Sequence, residues 1–592
     1  MVLNFRQLIA SCLLLLCSMA SWSAPAYPGK IVYRQPDGTR LAVYLRGDEH
    51  FHFYESEDGL ALLPDAGHAL RYAVPDAAGR VSAAGMVAHN VDMRGMKERT
   101  FVKTLDRSAI RRSLAGEVKM KKEHAMRRVM PGEIKKTFPT TGEIRGIIIL
   151  AQFTDRKFSR DDIRDVYDRM ANDENYSGPY SSGSIRNYFK TQSDGKFVPT
   201  FDVVGPVDLP HDMAYYGYDE KAAELMIDAC NAADVTAGAD FSKYDYNGDG
   251  YVDFVFVVYA GYGQAQGGNE ETVWPQAVDL TYESWNMYDG LYLSQAACSC
   301  ELKGYEGDDI DGIGTFCHEF SHILGLPDIY DPVYSGMTGM LNWDVMDLGL
   351  YNDDSRTPAG YTAMDKFTVG WLEPVVLDAP AEGLALRPLS EYNEAYFIVC
   401  GTDNNEYYTL ENRQQTGWDK GLDGHGLIIS HIHYIPSLWA GNRVNTTSSG
   451  YAHVSLVPAD NMASDDTKAG DPFPGTGGNT SFTDSSSPSA FWHTSTENVG
   501  CPVTNIREVD GVITFDFKKE TVGISSAGVS EPFVSIEGGT VCVDNPFNEY
   551  VQIVAADGRV MCTSSENRVV VSPGSGMYMV RRGPATYKFV VR

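Results

Sequence analysis

Apolar and polar positions follow different rhythms along this chain. Gly146-Ile147-Ile148-Ile149-Leu150-Ala151 and Phe254-Val255-Phe256-Val257-Val258-Tyr259 are unbroken apolar runs, the pattern of strands covered on both faces, and Leu291 to Leu302 predicts a third strand near them. Helical periodicity falls between, over Asp161 to Met170, Gly183 to Phe189 and Lys221 to Ala232. This succession predicts an α/β domain over residues 142–375. Residues 24–93 instead alternate short apolar runs with turns such as Pro36-Asp37-Gly38-Thr39, a β-rich pattern. Residues 376–518 show short alternating strands between Gly, Asn, Asp and Ser clusters, which fits a β-sandwich-like domain. Beyond the Gly/Ser-containing stretch Gly523 to Gly528, residues 519–592 predict a small C-terminal β-sandwich. The fold class is multidomain α+β.

Length agrees, since 592 residues exceed what one core can serve. Arg6 precedes an apolar run from Leu8 to Cys17, too short to span a bilayer, and Ser21-Trp22-Ser23 then offers small residues. Residues 1–23 are read as a signal peptide cleaved near Ser23 or Ala24, which implies a secreted or cell-surface protein. Ile9-Ala10-Ser11-Cys12 has the look of a lipoprotein box but precedes the end of the apolar run, which disfavours lipidation. No other segment approaches 18 uninterrupted apolar residues. The eight cysteines outside the leader are scattered and form no disulfide framework.

Net charge is −30, but residues 94–145 hold 15 Lys/Arg against 6 Asp/Glu, a local +9 that leaves −39 elsewhere. The acidity argues against nucleic-acid recognition and suits solubility and calcium. The basic stretch, with Arg111-Arg112, Lys121-Lys122, Arg127-Arg128 and Lys135-Lys136, predicts an exposed linker over 94–141 open to a trypsin-like protease.

The candidate chemistry lies in His318-Glu319-Phe320-Ser321-His322-Ile323-Leu324-Gly325-Leu326-Pro327-Asp328. On a helix, His318 and His322 project from one face and can hold one Zn²⁺, and Glu319 can take a proton from a zinc-activated water. Gly325 can end the helix in a left-handed turn, which brings Asp328 back as a third ligand and leaves the fourth position free. The spacing is that of the metzincins, His-Glu-x-x-His-x-x-Gly-x-x-His, with Asp in the last place. Met346, in Trp343-Asp344-Val345-Met346-Asp347, is placed to supply that class's Met-turn.

Taken with its flanks, Gly314 to Asp331 followed by Trp343 to Asp347 resembles the immune inhibitor A family of secreted bacterial metallopeptidases. Gly47 to His52, Tyr188-Phe189-Lys190 with Ser193 to Lys196, and Glu411 to Gln414 with His425 to Ile428 carry the likeness from about residue 30 to 518. The resemblance implies a metzincin-like zinc endopeptidase made as a zymogen, with 24–93 as propeptide, Asp328 as third ligand and protein or peptide substrates. Where many metzincins carry a Tyr two residues after the Met, this chain has Leu348, so the oxyanion donor stays unassigned. His50 and His52 either reach the zinc to keep the zymogen silent or stabilise the propeptide's own fold. The C-terminal segments Val551 to Val554, Gly576 to Val580 and Lys588 to Arg592 resemble sorting domains of the type IX secretion route, which implies outer-membrane secretion machinery as a partner. The alternative is a plain β-domain.

Asp245, Asn247, Asp249 and Asp253, with Tyr251 and Gly250 between, follow the first part of an EF-hand loop and predict a structural Ca²⁺. Position 12 is Phe256, where a bidentate Glu belongs, so a residue from elsewhere, such as Asp240, would have to complete the shell. His425, His431 and His433 lack a spaced acidic ligand and are not read as a second zinc. The expected function is a secreted zinc endopeptidase with Glu319 as general base. An adhesin that has lost catalysis, or a metal-dependent hydrolase of non-peptide substrates, are the rivals.

Overall fold

A computed structural model describes residues 21–592 apart from 50, 77–78, 84, 127–137, 219–220, 282, 332–336, 401–402, 446–448, 465–466, 519–533, 538–539, 546–547, 549, 556–559, 573–575, 583–584 and 592. The leader's apolar run, His50, the last two dibasic pairs and the Gly523 to Gly528 stretch therefore lie outside the described residues. The chain divides into two compact units, one ending at Lys519 and one from Glu520 to Arg592.

The first unit is built on a six-stranded sheet in the order Ser21–Ser23, Gln276–Asp279, Tyr292–Leu302, Tyr251–Tyr262, Gly142–Gln152, Phe197–Asp208. The last four are parallel, and Gln276–Asp279 runs antiparallel beside them. The unbroken apolar runs have a direct cause. Ile148, Leu150, Phe254, Phe256 and Val258 face one apolar layer, while Ile147, Ile149, Val255, Val257 and Tyr259 face the other. Successive side chains of a strand point oppositely, so both must be apolar when both faces are covered. Helix Ala222–Ala232 covers one face; helices Ile163–Asn172, Ile185–Gln192 and Gly314–Ile323 cover the other. Phe316 of the last helix stacks on Phe256 with centroids 3.8 Å apart.

Residues 30–72 form a five-stranded antiparallel sheet, Lys30–Arg34 through Leu70–Tyr72, whose core includes Trp274. The stretch expected as a linker is partly helical: Met96–Val102 and Arg107–Met126 lie within it, and Arg111 and Arg112 are exposed on the second helix. Alanine, leucine, lysine and arginine favour helix, and the charge run did not prevent it.

Two further sheets share a third core. One has five strands (Val375–Val376, Tyr396–Val399, Glu406–Arg413, Gly426–His433, Val454–Leu456), and the other has three (Ala381–Leu386, Val512–Phe517, Val503–Val509). Strands Glu406–Arg413 and Gly426–His433 are buried at every residue. Their other face, through Tyr407, Ile428 and Ile432, joins the core of the motif helix. In the second unit, a three-stranded and a four-stranded antiparallel sheet enclose Val541, Val543, Val551, Ile553 and Val580.

Candidate metal centre and cleft

Helix Gly314–Ile323 is buried along its whole length. A Cβ at Gly314 would meet the Leu350 carbonyl oxygen at 1.9 Å, so only glycine lets the helix start so close to that loop. Gly325 ends the helix with φ +97°, and the Leu326 N–H returns to the Ser321 carbonyl at 3.1 Å. The reversal brings Asp328 beneath the two imidazoles. His318 Nε2 and His322 Nε2 are 3.2 Å apart, and Asp328 Oδ1 lies 3.2 and 3.3 Å from them.

The outer nitrogens decide what this triad accepts. His318 Nδ1 lies 2.8 Å from the Val345 carbonyl oxygen, and His322 Nδ1 lies 2.8 Å from that of Leu326. A carbonyl only accepts, so each Nδ1 carries the proton and each Nε2 presents a lone pair. Two lone pairs and a carboxylate oxygen converging on one buried point repel one another unless a cation takes the centre, and imidazole with carboxylate is a donor set that zinc accepts. The residues fit a metal. Asn442 holds Asp328 in place, donating Nδ2–H to Asp328 Oδ2 at 2.5 Å and accepting the Asp328 N–H at 2.6 Å.

Met346 is fully buried in the same core, and the neighbouring Val345 carbonyl is the one that orients His318. Glu319, also fully buried, points to the edge of the sheet, where Oε1 accepts the Ala24 N–H at 2.7 Å. Burial, then the charges of Asp328 and Glu49, push its carboxyl well above the ordinary range. Ser21–Ser23 pairs antiparallel with Gln276–Asp279, and the chain that follows lies along the cleft. His52 stacks near Trp274, with ring centroids 5.0 Å apart.

Among the calcium candidates, Asp245, Asp249 and Asp253 offer oxygens within 4.8 Å of one another. Asp245 accepts the N–H groups of Gly248, Asp249 and Gly250, and the Asn247 amide donates to Asp249 at 2.9 Å. Asp253 is 1% exposed, and its Oδ1 has no hydrogen-bond partner. Tyr251 opens the strand and pairs with Tyr292. Asp240 bonds Ser242 and Lys243 instead of turning to the loop. His425 bonds Glu508, apart from His431, which bonds Glu406 at 2.9 Å.

Sequence reasoning missed Asn442, Tyr330 and the Glu406, His431, His493 group. Asn442 carries no local pattern, whereas Tyr330 stands two residues past the motif.

A mostly parallel α/β sheet with a His-Glu-x-x-His helix and a returning Asp defines a metallopeptidase domain. Residues 149–369 match the immune inhibitor A peptidase M6 catalytic domain, so this segment is a domain of that family. The chain is 26% identical over 272 residues to immune inhibitor A of Bacillus thuringiensis subsp. alesti, a match covering 37% of this chain and 38% of that protein. It is also 26% identical over 231 residues to the pre-pro-metalloprotease PrtV of Vibrio cholerae serotype O1, covering 33% of this chain and 25% of PrtV. The chain thus spans well under two thirds of either relative. A domain of this kind implies a bound metal.

Proposed function

We propose that the chain is a zinc-dependent endopeptidase made as a zymogen and secreted, with protein or peptide substrates. The observation that carries this reading is the convergence of His318 Nε2, His322 Nε2 and Asp328 Oδ1, with the Glu319 carboxylate beside them at the sheet edge. His318, His322 and Asp328 would hold the zinc, which when bound supplies Lewis acidity that makes a scissile carbonyl more electrophilic. Glu319 takes the proton of the attacking water and returns it to the departing amine. Its burial suits this, because a carboxyl pushed upward is a stronger base and a competent acid.

Latency follows from the start of the propeptide. With the Ala24 N–H on Glu319 and the Ala24 and Pro25 carbonyls held by Trp274 and Tyr351, residues that remain after the leader is removed engage the base and the cleft beside it, so activation requires that this segment leave. Exposed Arg111-Arg112 offers a trypsin-like protease a site in the intervening stretch. The Asp245 to Asp253 loop takes a structural Ca²⁺, supported by the unpartnered Asp253 Oδ1. The C-terminal unit serves sorting to the cell surface.

The test is Glu319→Gln. The variant is expected to fold and to retain one equivalent of zinc, while casein digestion after trypsin activation falls by several orders of magnitude. Undiminished digestion would refute the reading.

A further inference from the structure

Three consecutive carbonyls of the segment in the cleft are each met by a different side chain of the catalytic domain. The Tyr330 hydroxyl donates to Ser23 O at 3.0 Å, the Trp274 indole N–H to Ala24 O at 2.9 Å, and the Tyr351 hydroxyl to Pro25 O at 2.6 Å. Between the first two lies the Ala24 N–H, which donates to Glu319 at 2.7 Å. The peptide group joining Ser23 to Ala24 is therefore gripped at both ends, its oxygen by Tyr330 and its nitrogen by the candidate general base. Upstream, Ser23, Trp22 and Ser21 pair in register with Gln276, Ala277 and Val278. All of these contacts are to main chain, and they need no particular side chain on the bound strand.

We infer that this segment traces the path of a substrate, that the cleft takes an extended polypeptide antiparallel to Gln276–Asp279, and that Tyr330 is the catalytic oxyanion donor that Leu348 cannot be. Tyr351 and Trp274 are the groups that hold the two carbonyls following the scissile bond. The inference rests on the peptidase reading. Hydrolysis adds water across the bond. The water's oxygen joins the carbonyl carbon, the C–N bond breaks, and the proton taken by Glu319 passes to the departing nitrogen. The charge that builds meanwhile on the carbonyl oxygen is met by the Tyr330 hydroxyl, which is buried at 6% exposure on a loop fixed by Asp328 and Ile329. A donor preset in a dry site is worth more to the transition state than to the ground state. Here the residue that faces the oxygen is Tyr330, with Trp274 one carbonyl further along and Tyr351 two.

The experiment compares the trypsin-activated full-length chain with Tyr330→Phe on a fluorogenic peptide. Loss of the hydroxyl is expected to lower kcat by about 10²–10³-fold, with KM within about threefold and zinc content unchanged. A phosphinic peptide, which copies the tetrahedral state, should bind Tyr330→Phe more weakly by a factor close to the kcat loss, while an uncleaved amide peptide should bind as before. A second measurement needs no variant: wild-type enzyme should show KM raised about fivefold for each of the two carbonyls after the scissile bond replaced by methylene. Retained kcat in Tyr330→Phe, loss of its fold or zinc, or indifference to both methylene replacements would overturn the assignment. If the activated wild type, like Glu319→Gln, cleaves nothing, the peptidase reading itself fails.

Discussion

Asn442 meets Asp328 twice, once at the carboxylate and once at the backbone N–H, so it fixes both the position and the lone-pair direction of the third donor. An outer partner of this kind tunes metal affinity without touching the metal. Asn442→Ala is expected to fold but to bind zinc about 10–100-fold more weakly in competition with a chromophoric chelator. An unchanged affinity would show that Asp328 needs no such support. The residues of the triad themselves were legible in the sequence because helix geometry and one glycine turn convert a spacing of ten residues into proximity. Asn442 was not, since it stands 114 positions from Asp328 and only the fold unites them. Tyr330 was hidden for a different reason: it stands next to the motif, but nothing in its spacing says that its hydroxyl turns to the Ser23 carbonyl.

Among the elements, three strands of the central sheet and the helices that cover it were readable to within a few residues, because double-sided burial leaves an unmistakable run, whereas Phe197–Asp208, with alternate residues half-buried, was not. The helical stretch over Arg107–Met126 was not, since its charges look alike on a linker and on a solvated helix. Nor did the sequence disclose that His431, His433, His453 and His493 gather with Tyr451 around Glu406 and Asp403, drawn from two strands, an adjoining strand and a loop. The gathering has a pH consequence. Burial, then the neighbouring histidines, lower His493 from 6.5 to about 4, and burial lowers His431 and His453 in the same direction. Between those values the unfolded chain binds more protons than the folded one, so stability present above about pH 6.5 is lost as pH falls toward about 4. Glu406, held down to about 2 because its hydrogen bonds outweigh burial, keeps its charge across that window. His493 is partly solvated, so the contribution is on the order of 1 kcal/mol. Tm of the full chain should fall as pH is lowered from about 6.5 toward about 4, and this fall should flatten in His493→Gln; equal slopes would remove the cluster from the account. Calcium gives a second test at this scale. Millimolar Ca²⁺ is expected to raise Tm, by about 2.7 kcal/mol of linkage when it stands a hundredfold above Kd. Asp253→Ala should abolish the rise. If calcium leaves the wild type unmoved, the loop is an ordinary turn.

Across the whole first unit, the metal site depends on strands that lie beyond the segment matching the peptidase family, which ends at residue 369. Arg413, fully buried, donates to Asp419 at 2.6 and 2.8 Å, to Glu411 at 3.0 Å and to the carbonyls of Trp343 and Gly360 at 2.9 and 3.1 Å. Asp471 takes the Trp343 indole N–H at 3.0 Å. Trp343 is two residues from Val345, whose carbonyl orients His318, so one guanidinium in the five-stranded sheet reaches the motif helix through a short loop. Removing the cation leaves two acids buried and uncompensated, a loss of about 3–5 kcal/mol when one partner of a buried pair is deleted. Arg413→Met should therefore lower Tm sharply and, in whatever fraction stays folded, weaken zinc retention together with peptidase activity. By the same reasoning a fragment ending at residue 375 should fail to fold into a zinc-binding species, because the sheet that closes the core over Met346 is absent from it. Calorimetry and metal analysis of both proteins decide the matter. A stable, zinc-loaded fragment would mean that the catalytic domain carries its own support and that Arg413 serves only the sheet in which it lies.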